Sequence, residues 1–156
     1  MAISKQMKKL PLILIALSAF NFSFAQTEEQ KVAAVVNQLF TSMYNGDSIG
    51  VTRCFADKSI MQSIGVDKIG NPIVQTGSII DFSSFVGKQK KGAADERIKI
   101  ESIKIDGDLA VVWTPYQFYY QEKFSHCGVN TFTLVRQKGE WKINYLIDTR
   151  RKDNCN

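Results

Sequence analysis

Histidine and cysteine are scarce in this 156-residue chain, which holds one His and three Cys. Cys54, Cys127 and Cys155 are spaced too widely to form a Cys-x-x-Cys metal or redox motif. A single His also leaves too few nitrogen ligands for a zinc cluster. We therefore predict a protein with no metal site and no bound cofactor.

Long apolar runs are missing as well. The longest, Leu10–Phe20, has 11 residues, well short of the ~20 that a transmembrane helix needs. Three lysines lie before it in residues 5–9, and Ser23-Phe24-Ala25 follows it with small residues at its first and last positions. This layout is typical of a secretory signal peptide. We predict that residues 1–25 are removed, that the protein is exported to the periplasm or beyond, and that residues 26–156 form one domain with no membrane attachment.

Positive charge is not in real excess. The chain has 20 basic and 15 acidic residues, but three of the lysines lie in the predicted signal peptide, so 17 basic residues face 15 acidic ones in the exported part. Nucleic-acid binding depends on a clustered positive surface. The sequence therefore predicts no nucleic-acid partner.

The spacing of apolar residues changes along the chain from a helical period to a period of two. Helices are predicted over 27–45, 47–55 and 78–86, with short strands over 59–63 and 72–75. Four longer strands follow over 97–105, 109–121, 124–136 and 140–151, separated by turns at Asp106-Gly107, Glu122-Lys123 and Lys138-Gly139. This order predicts an α+β fold with three N-terminal helices packed on one face of a strongly bent antiparallel sheet.

Two-residue turns would set the register and place one group of side chains on the face toward the helices. Its apolar floor would comprise Ile98, Ile100, Val111, Trp113, Phe132, Leu134, Trp141, Ile143 and Tyr145. Its polar end would comprise Gln117, Tyr119, His126, Asn130, Thr149 and Arg151. An apolar body with a few converging polar groups is typical of a ligand cavity. We predict that a small apolar or aromatic molecule contacts Trp113, Gln117, Tyr119, His126, Asn130, Tyr145, Thr149 and Arg151.

Two alternatives stay open for this face. A bulge in the last strand would exchange Thr149 and Arg151 for Asp148 and Arg150. The polar end could also be no more than the hydrated, fraying end of a sheet.

The opposite face of the predicted sheet is too apolar to be left in water. It would carry Val112, Thr114, Tyr116, Phe118, Val129, Thr131, Thr133, Val135 and Leu146. An exposed apolar patch of this kind marks an interface. The sequence therefore predicts a homodimer formed through the outer sheet face.

The chain resembles the nuclear transport factor 2-like superfamily, which includes the SnoaL-like cyclases and ketosteroid isomerase. The C-terminal half is most similar to the lumazine-binding-like branch of exported bacterial proteins. The resemblance rests on segments 106–116, 124–130, 139–143 and 148–152. It implies a cone-shaped fold with a cavity between helices and sheet, and dimerisation through the outer sheet face. Activity does not follow from it, because this fold hosts unrelated functions.

The same resemblance implies a disulfide. The segment His126-Cys127-Gly128 and the terminal Cys155 both resemble the lumazine-binding-like branch, which implies a Cys127–Cys155 bond. The predicted register places Cys127 opposite Arg150, so a tail that turns back would bring the two sulfurs together. Cys54 lies in a predicted helix and would remain as the free, buried thiol.

Three functions fit these patterns, and the first is an exported, non-catalytic protein that binds a small molecule. The second is a cofactor-free isomerase or dehydratase-type lyase, with His126, Tyr119 and Asp148 as candidate catalytic residues. The predicted floor offers that chemistry no carboxylate base, since Asp148 faces inward only if the last strand bulges. The third is a purely structural interaction domain.

Overall fold

The computed structural model describes residues 26–155, so the predicted signal peptide lies outside the described residues. The helices are α1 Glu28–Asn45, α2 Ser48–Arg53 and α3 Ile79–Gly87. The strands are β1 Phe55–Val66, β2 Pro72–Gly77, β3 Ala94–Ile98, β4 Ser102–Asp106, β5 Leu109–Tyr120, β6 Lys123–Gln137 and β7 Glu140–Thr149. The predicted α+β class is confirmed: helices pack on one face of a curved sheet.

Helix α1 begins and ends with defined caps. The Thr27 hydroxyl accepts a hydrogen bond from the Gln30 amide, and the Gln30 side chain accepts one from the Thr27 amide. Gly46 ends the helix at φ 70°, a left-handed conformation that glycine adopts without a steric penalty. Between these caps, a stripe that includes Val32 and Val36 is fully buried against the sheet.

The sheet is mixed rather than wholly antiparallel. Its strand order is β2-β1-β7-β6-β5-β3, and β4 also pairs with β5. β1 runs parallel to β7, which corrects the predicted all-antiparallel sheet. The predicted strand 97–105 is divided into β3 and β4, which pair with the two ends of β5.

A bulge at Ser125 sets the faces of β5 and β6. Tyr119 pairs with Phe124, but Phe118 pairs with His126, so Ser125 is an extra residue on β6. Because side chains alternate between faces, one inserted residue reverses the faces of everything beyond it. The two-residue-turn register missed this insertion.

The bulge corrects the predicted faces of β5. Ala110, Val112, Thr114 and Tyr116 point inward and are buried. The residues between them point outward, and Val111 and Trp113 are 40% and 46% exposed. The predicted floor positions Val111 and Trp113, and the predicted polar positions Gln117 and Tyr119, therefore lie on the outer face.

A second bulge, at Asn144, sets the faces of β7. Leu134 pairs with Ile143, but Thr133 pairs with Tyr145. Beyond this bulge, the residues that point inward are Leu146, Asp148 and Arg150. Those that point outward are Tyr145, Ile147, Thr149 and Arg151. This corrects the inward placement of Tyr145, Thr149 and Arg151 and realises the alternative with a bulged last strand.

The remaining predicted floor forms the core. Phe132, Leu134 and Ile143 are fully buried beneath α1, and the Phe132 ring meets the Phe40 ring edge-on at 6.0 Å. Trp141 is buried too, and its indole N–H donates to Glu28 at the start of α1 over 2.8 Å. The helices therefore cover the apolar half of the inner face.

Candidate functional site

Polar side chains collect on the inner face beyond this apolar half. We call them the inner cluster: Glu96, Tyr116, His126, Asn130, Asp148 and Arg150. Three of them, His126, Asn130 and Asp148, were candidates from the sequence. β3, β5, β6 and β7 each contribute at least one member, since residues of the same face meet side by side across paired strands.

Asn130 links the two carboxyl groups of the inner cluster. It is only 4% exposed, lies opposite Asp148 on β7, and donates from Nδ2 to Glu96 Oε1 over 2.8 Å. Burial raises the pKa of Glu96 to about 7; the hydrogen bond from Asn130 opposes this rise and the charge of Asp148 adds to it. Glu96 can therefore gain or lose a proton near neutral pH.

Asp148 is held by an arginine and a tyrosine. Arg150 Nε donates to Asp148 Oδ2 over 2.8 Å, and a second guanidinium nitrogen reaches Ser63 over 3.0 Å. The Tyr116 hydroxyl lies 3.2 Å from the same carboxylate oxygen and 2.9 Å from the Thr149 carbonyl oxygen. Burial and the nearby Asp148 charge raise the pKa of Tyr116, so its hydroxyl stays protonated and donates.

Gly128 makes room for this tyrosine. A Cβ at Gly128 would lie 2.8 Å from the Tyr116 ring and would overlap the Thr149 backbone. The absent side chain therefore lets Tyr116 cross β6 and reach β7. No other residue type fits here without moving the ring.

His126 forms the aromatic part of the inner cluster. Its ring lies 5.2 Å from the Phe118 ring and 5.7 Å, edge-on, from the Tyr116 ring. Its Nδ1 is 3.0 Å from the Ser125 hydroxyl. Burial and the positive charge of Arg150 lower the pKa of His126, so the neutral imidazole is favoured at pH 7.

The inner cluster thus brings two carboxyl groups, a neutral imidazole and an arginine to one place. From the sequence, Asp148 was expected to face inward only if the last strand bulged; the structure has that bulge, and it adds Glu96 as a second inner carboxyl group. Glu96 was missed because the predicted strand began at Arg97. The apolar residues Ala94 and Ile98, two positions to either side, carry the alternation that could have revealed it.

The other predicted ligand-binding residues lie on the outer face. Trp113, Gln117 and Arg151 line a groove of about 530 Å³ together with Arg97, Lys99 and the cysteines 127 and 155. We call it the outer groove. Tyr119 lies beside it, under the Arg97 guanidinium at 4.1 Å.

Two further predicted residues on the outer face make structural contacts. The Tyr145 hydroxyl donates to Gln62 over 2.6 Å, and the Thr149 hydroxyl accepts from the Val129 amide over 3.1 Å. Of the eight predicted residues, His126 and Asn130 thus lie on the inner face of the sheet and the other six lie on the outer face.

The Cys127–Cys155 disulfide is present, as the resemblance implied. Its Cα atoms are 5.8 Å apart, and it fastens the C-terminal tail to β6 beside the Cys127–Arg151 backbone bridge. Cys54 is free and buried, and burial raises its pKa to about 11. A thiol with that pKa is a poor nucleophile near pH 7.

Within residues 26–155, no three His, Cys, Asp or Glu residues are grouped so that they could hold a metal ion. Every buried side-chain nitrogen or oxygen there has a hydrogen-bond partner. The buried polar atoms of the inner cluster are thus all hydrogen-bonded, and a ligand would approach the cluster from its less buried side, at Glu96, His126 and Arg150.

The geometry matches solved nuclear transport factor 2-like folds. A protein of unknown function from Shewanella baltica OS155 matches with a TM-score of 0.62 and 15% identity, over 83% of this chain and 100% of that one. A cystatin-like domain of unknown function from Nostoc punctiforme matches with a TM-score of 0.64 and 13% identity, over 84% and 82%. A protein of unknown function from Silicibacter pomeroyi matches with a TM-score of 0.60 and 18% identity, over 81% and 100%. At these identities the similarity shows the fold alone, which is nuclear transport factor 2-like.

A family model assigns the chain to one family within this fold. The chain belongs to the family described as "Putative lumazine-binding", whose model matches residues 27–145. The predicted superfamily and branch are thereby confirmed. No curated protein matches the chain.

Proposed function

We propose that this chain is an exported, non-catalytic protein that binds a small apolar or aromatic molecule at the inner cluster. The proposal rests on one observation. The rings of His126, Phe118 and Tyr116 meet beside buried polar groups, where the apolar inner face ends. Ligand sites in proteins combine an apolar lining with a few fixed polar groups in this way. The family description agrees with a binding role.

Export is supported by one feature besides the signal-peptide pattern: a disulfide persists in an oxidising compartment and is rare in the cytosol. Separately, within residues 26–155 no helix combines the length and apolarity that crossing a bilayer requires. Cleavage after Ala25 stays a prediction, which the intact mass of the exported protein tests: a chain that still begins at Met1 would contradict it.

The inner cluster also suggests what the ligand should offer. Arg150 and a protonated Glu96 donate hydrogen bonds, and Asp148 accepts them. An aromatic ring would lie against His126 and Phe118, with a polar substituent reaching Glu96 or Arg150. A purely aliphatic ligand would leave these donors without a partner at a cost.

The test uses protein purified from the exported fraction. Denaturing it and analysing the released small molecules by mass spectrometry identifies what it carries. His126→Ala should reduce the amount carried and leave the fold intact, because this partly buried ring contributes little to the core. Tyr119→Phe is the matched control, since Tyr119 lies on the outer face, and it should carry the wild-type amount. No released molecule, or equal amounts from both variants, would contradict the proposal.

A second candidate is a cofactor-free isomerase or lyase acting in the same place. One observation favours it: burial raises the pKa of Glu96 to about 7, which suits a group that takes and returns a proton. Neutral His126 could donate a hydrogen bond to an enolate-like charge, whereas the single hydroxyl proton of Tyr116 is already directed at Asp148 and the Thr149 carbonyl.

This candidate is tested with a panel of small ketones in deuterated water. An enzyme would speed deuterium incorporation next to the carbonyl, as followed by proton NMR. Glu96→Gln should abolish that exchange, and Tyr119→Phe should leave it unchanged. An exchange rate no faster than that in buffer would contradict the enzymatic function, and binding would remain as the proposed function.

The outer sheet face supports a homodimer, although its members differ from those predicted. Val111, Trp113, Val129, Tyr145 and Ile147 lie there, whereas the predicted Val112, Tyr116 and Leu146 are buried inside. A two-fold pairing would cover the same apolar surface on both copies.

Light scattering at micromolar concentration tests the dimer. Val129→Lys should convert a dimer to a monomer. Ile69→Lys, in the exposed β1–β2 loop, is the control and should leave the mass unchanged. A wild-type monomer would contradict this proposal.

A further inference from the structure

The outer groove has a cationic rim and an apolar base. Arg97 and Lys99 border it along the β3 edge, and Arg151 borders it from the C-terminal tail. Beyond β3 the backbone keeps the same register, since the Lys99 amide donates to the Pro115 carbonyl over 3.0 Å. Among the described residues, Glu101 is the one acidic residue that lines the groove, and its carboxylate lies 3.9 Å from the Lys99 ammonium group.

Arg97 is held in position before any ligand arrives. Its Nε donates to Asp95 over 2.8 Å, and its guanidinium lies 4.1 Å from the centre of the Tyr119 ring. These contacts use one edge and one face of the Arg97 guanidinium group. The two terminal nitrogens make no hydrogen bond within residues 26–155, so the fork that recognises a carboxylate is free.

Arg151 is held in the same manner on the opposite rim. Its backbone exchanges two hydrogen bonds of 2.9 Å with Cys127, next to the Cys127–Cys155 disulfide. Its Nε donates to the Asn154 carbonyl over 3.3 Å, and in the described part of the chain its terminal nitrogens have no hydrogen-bond acceptor. The disulfide thus fixes the tail that carries this arginine.

An aromatic ring completes the groove. Trp113 is 46% exposed and lies next to Pro115 and Val129 on the lining. The other tryptophan, Trp141, is 3% exposed and belongs to the core. An exposed indole in a groove with a cationic rim offers an aromatic anion both a stacking surface and electrostatic attraction.

We propose that the outer groove is a second binding site, for a small planar aromatic anion such as an aromatic carboxylate. The ring would stack on Trp113, and the carboxylate would be attracted by the cationic rim that Arg97, Lys99 and Arg151 form. The inner cluster lies on the other side of the sheet, so this proposal is independent of the proposed function.

The probe is 2-naphthoate, with the neutral 2-naphthamide as its uncharged partner. The chain has two tryptophans, so the indole N–H region of a ¹⁵N-correlated NMR spectrum gives two signals, which Trp113→Phe assigns. 2-Naphthoate should shift the Trp113 signal in a saturable way and leave the Trp141 signal in place. 2-Naphthamide should bind more weakly by at least the effect of one arginine. Equal shifts from both compounds, equal shifts of both indoles, or no shift at millimolar concentration would overturn the proposal.

Matched variants test the two arginines. Arg97→Gln and Arg151→Gln should each weaken 2-naphthoate binding by roughly two- to fivefold, the range expected for one partly exposed ion pair. Lys68→Gln, in the β1–β2 loop at the opposite edge of the sheet, makes the same change in charge and should have no effect. Equal weakening by all three would mean that net charge alone attracts the anion, and the site would be rejected.

The groove shares Trp113 with the surface proposed for the dimer, so the mass is measured by light scattering in the same samples. A dimer that covers Trp113 would keep its signal unchanged on adding 2-naphthoate. That outcome too would overturn the second site.

Discussion

The two faces of the sheet carry similar apolar residues, but those on the inner face are buried and those on the outer face are exposed. On β5, the inner residues Val112 and Tyr116 are buried, and the outer residues Val111 and Trp113 are 40% and 46% exposed. Both sets are apolar or aromatic, so neither composition nor the period of two distinguishes them. The difference comes from register alone, which decides the face that the helices cover.

Two single-residue insertions fix that register. Ser125 on β6 and Asn144 on β7 each lie opposite no partner of their own, and each reverses the faces of the strand beyond it. Asp148 is buried, and His126 faces Tyr116, because of these bulges. The chemistry of the inner cluster is thus decided by backbone irregularities rather than by the side-chain pattern.

The first and largest prediction compares the truncation of one apolar side chain on the inner face with the truncation of one on the outer face. Phe132→Ala, on the inner face, should lower the free energy of unfolding by about 3–5 kcal/mol, since it leaves a cavity beneath Phe40. Val111→Ala, on the outer face, should lower it by less than about 1 kcal/mol. Urea denaturation monitored by circular dichroism measures both. Similar losses would mean that the outer face is as well covered as the inner one.

The fold and part of the site could be predicted from the sequence, and the split between faces could not. The helical period, the change to a period of two and the turn signals each depend on residues that are close together in the chain, so local chemistry specifies them. His126, Asn130 and the Cys127–Cys155 pair were also predicted. Trp113 and Gln117 were predicted on the wrong face because no residue type marks the Ser125 bulge. Glu96 was missed because the predicted strand began one residue after it, at Arg97; its hydrogen-bond partner Asn130 is 34 residues away and gave no local signal.

The second prediction concerns the disulfide that fastens the C-terminal tail on the outer face. Replacing both Cys127 and Cys155 with Ser frees the tail and should lower the free energy of unfolding by about 3–4 kcal/mol, given the 28-residue separation. A dithiol reductant should destabilise the wild-type protein by a similar amount and leave the double variant unaffected. Unchanged stability in the double variant would contradict a role for the disulfide in fixing the tail.

The third prediction concerns the Glu96 carboxyl group on the inner face. The pKa of Glu96 is raised from 4.5 to about 7 in the folded protein, so the folded state binds more protons than the unfolded state between those pH values. Its contribution to stability is therefore full below pH 4.5 and is lost as the pH rises through 7. Glu96→Gln removes this dependence.

The measurement is the difference in unfolding free energy between Glu96→Gln and wild type from pH 4.5 to 8. It should shift in favour of the variant by on the order of 2 kcal/mol, less than the full pKa shift implies because the side chain is only partly buried. Taking a difference matters because His126, whose pKa is lowered, acts the other way and costs stability as the pH falls below its ordinary value of 6.5. A difference that does not vary with pH would contradict the raised pKa.

The smallest expected effect compares one hydroxyl on each face. Tyr116→Phe removes a buried donor and leaves the Thr149 carbonyl and the Asp148 carboxylate with one partner fewer, which should cost about 1–2 kcal/mol. Tyr145→Phe removes a hydroxyl that donates to Gln62 on the outer face, where water can replace it, and should cost about 0.5 kcal/mol or less. Urea denaturation of both variants, in parallel with wild type, gives the two values. Equal costs would show that water reaches the inner hydroxyl as easily as the outer one, and the inner cluster could then no longer be treated as a buried site.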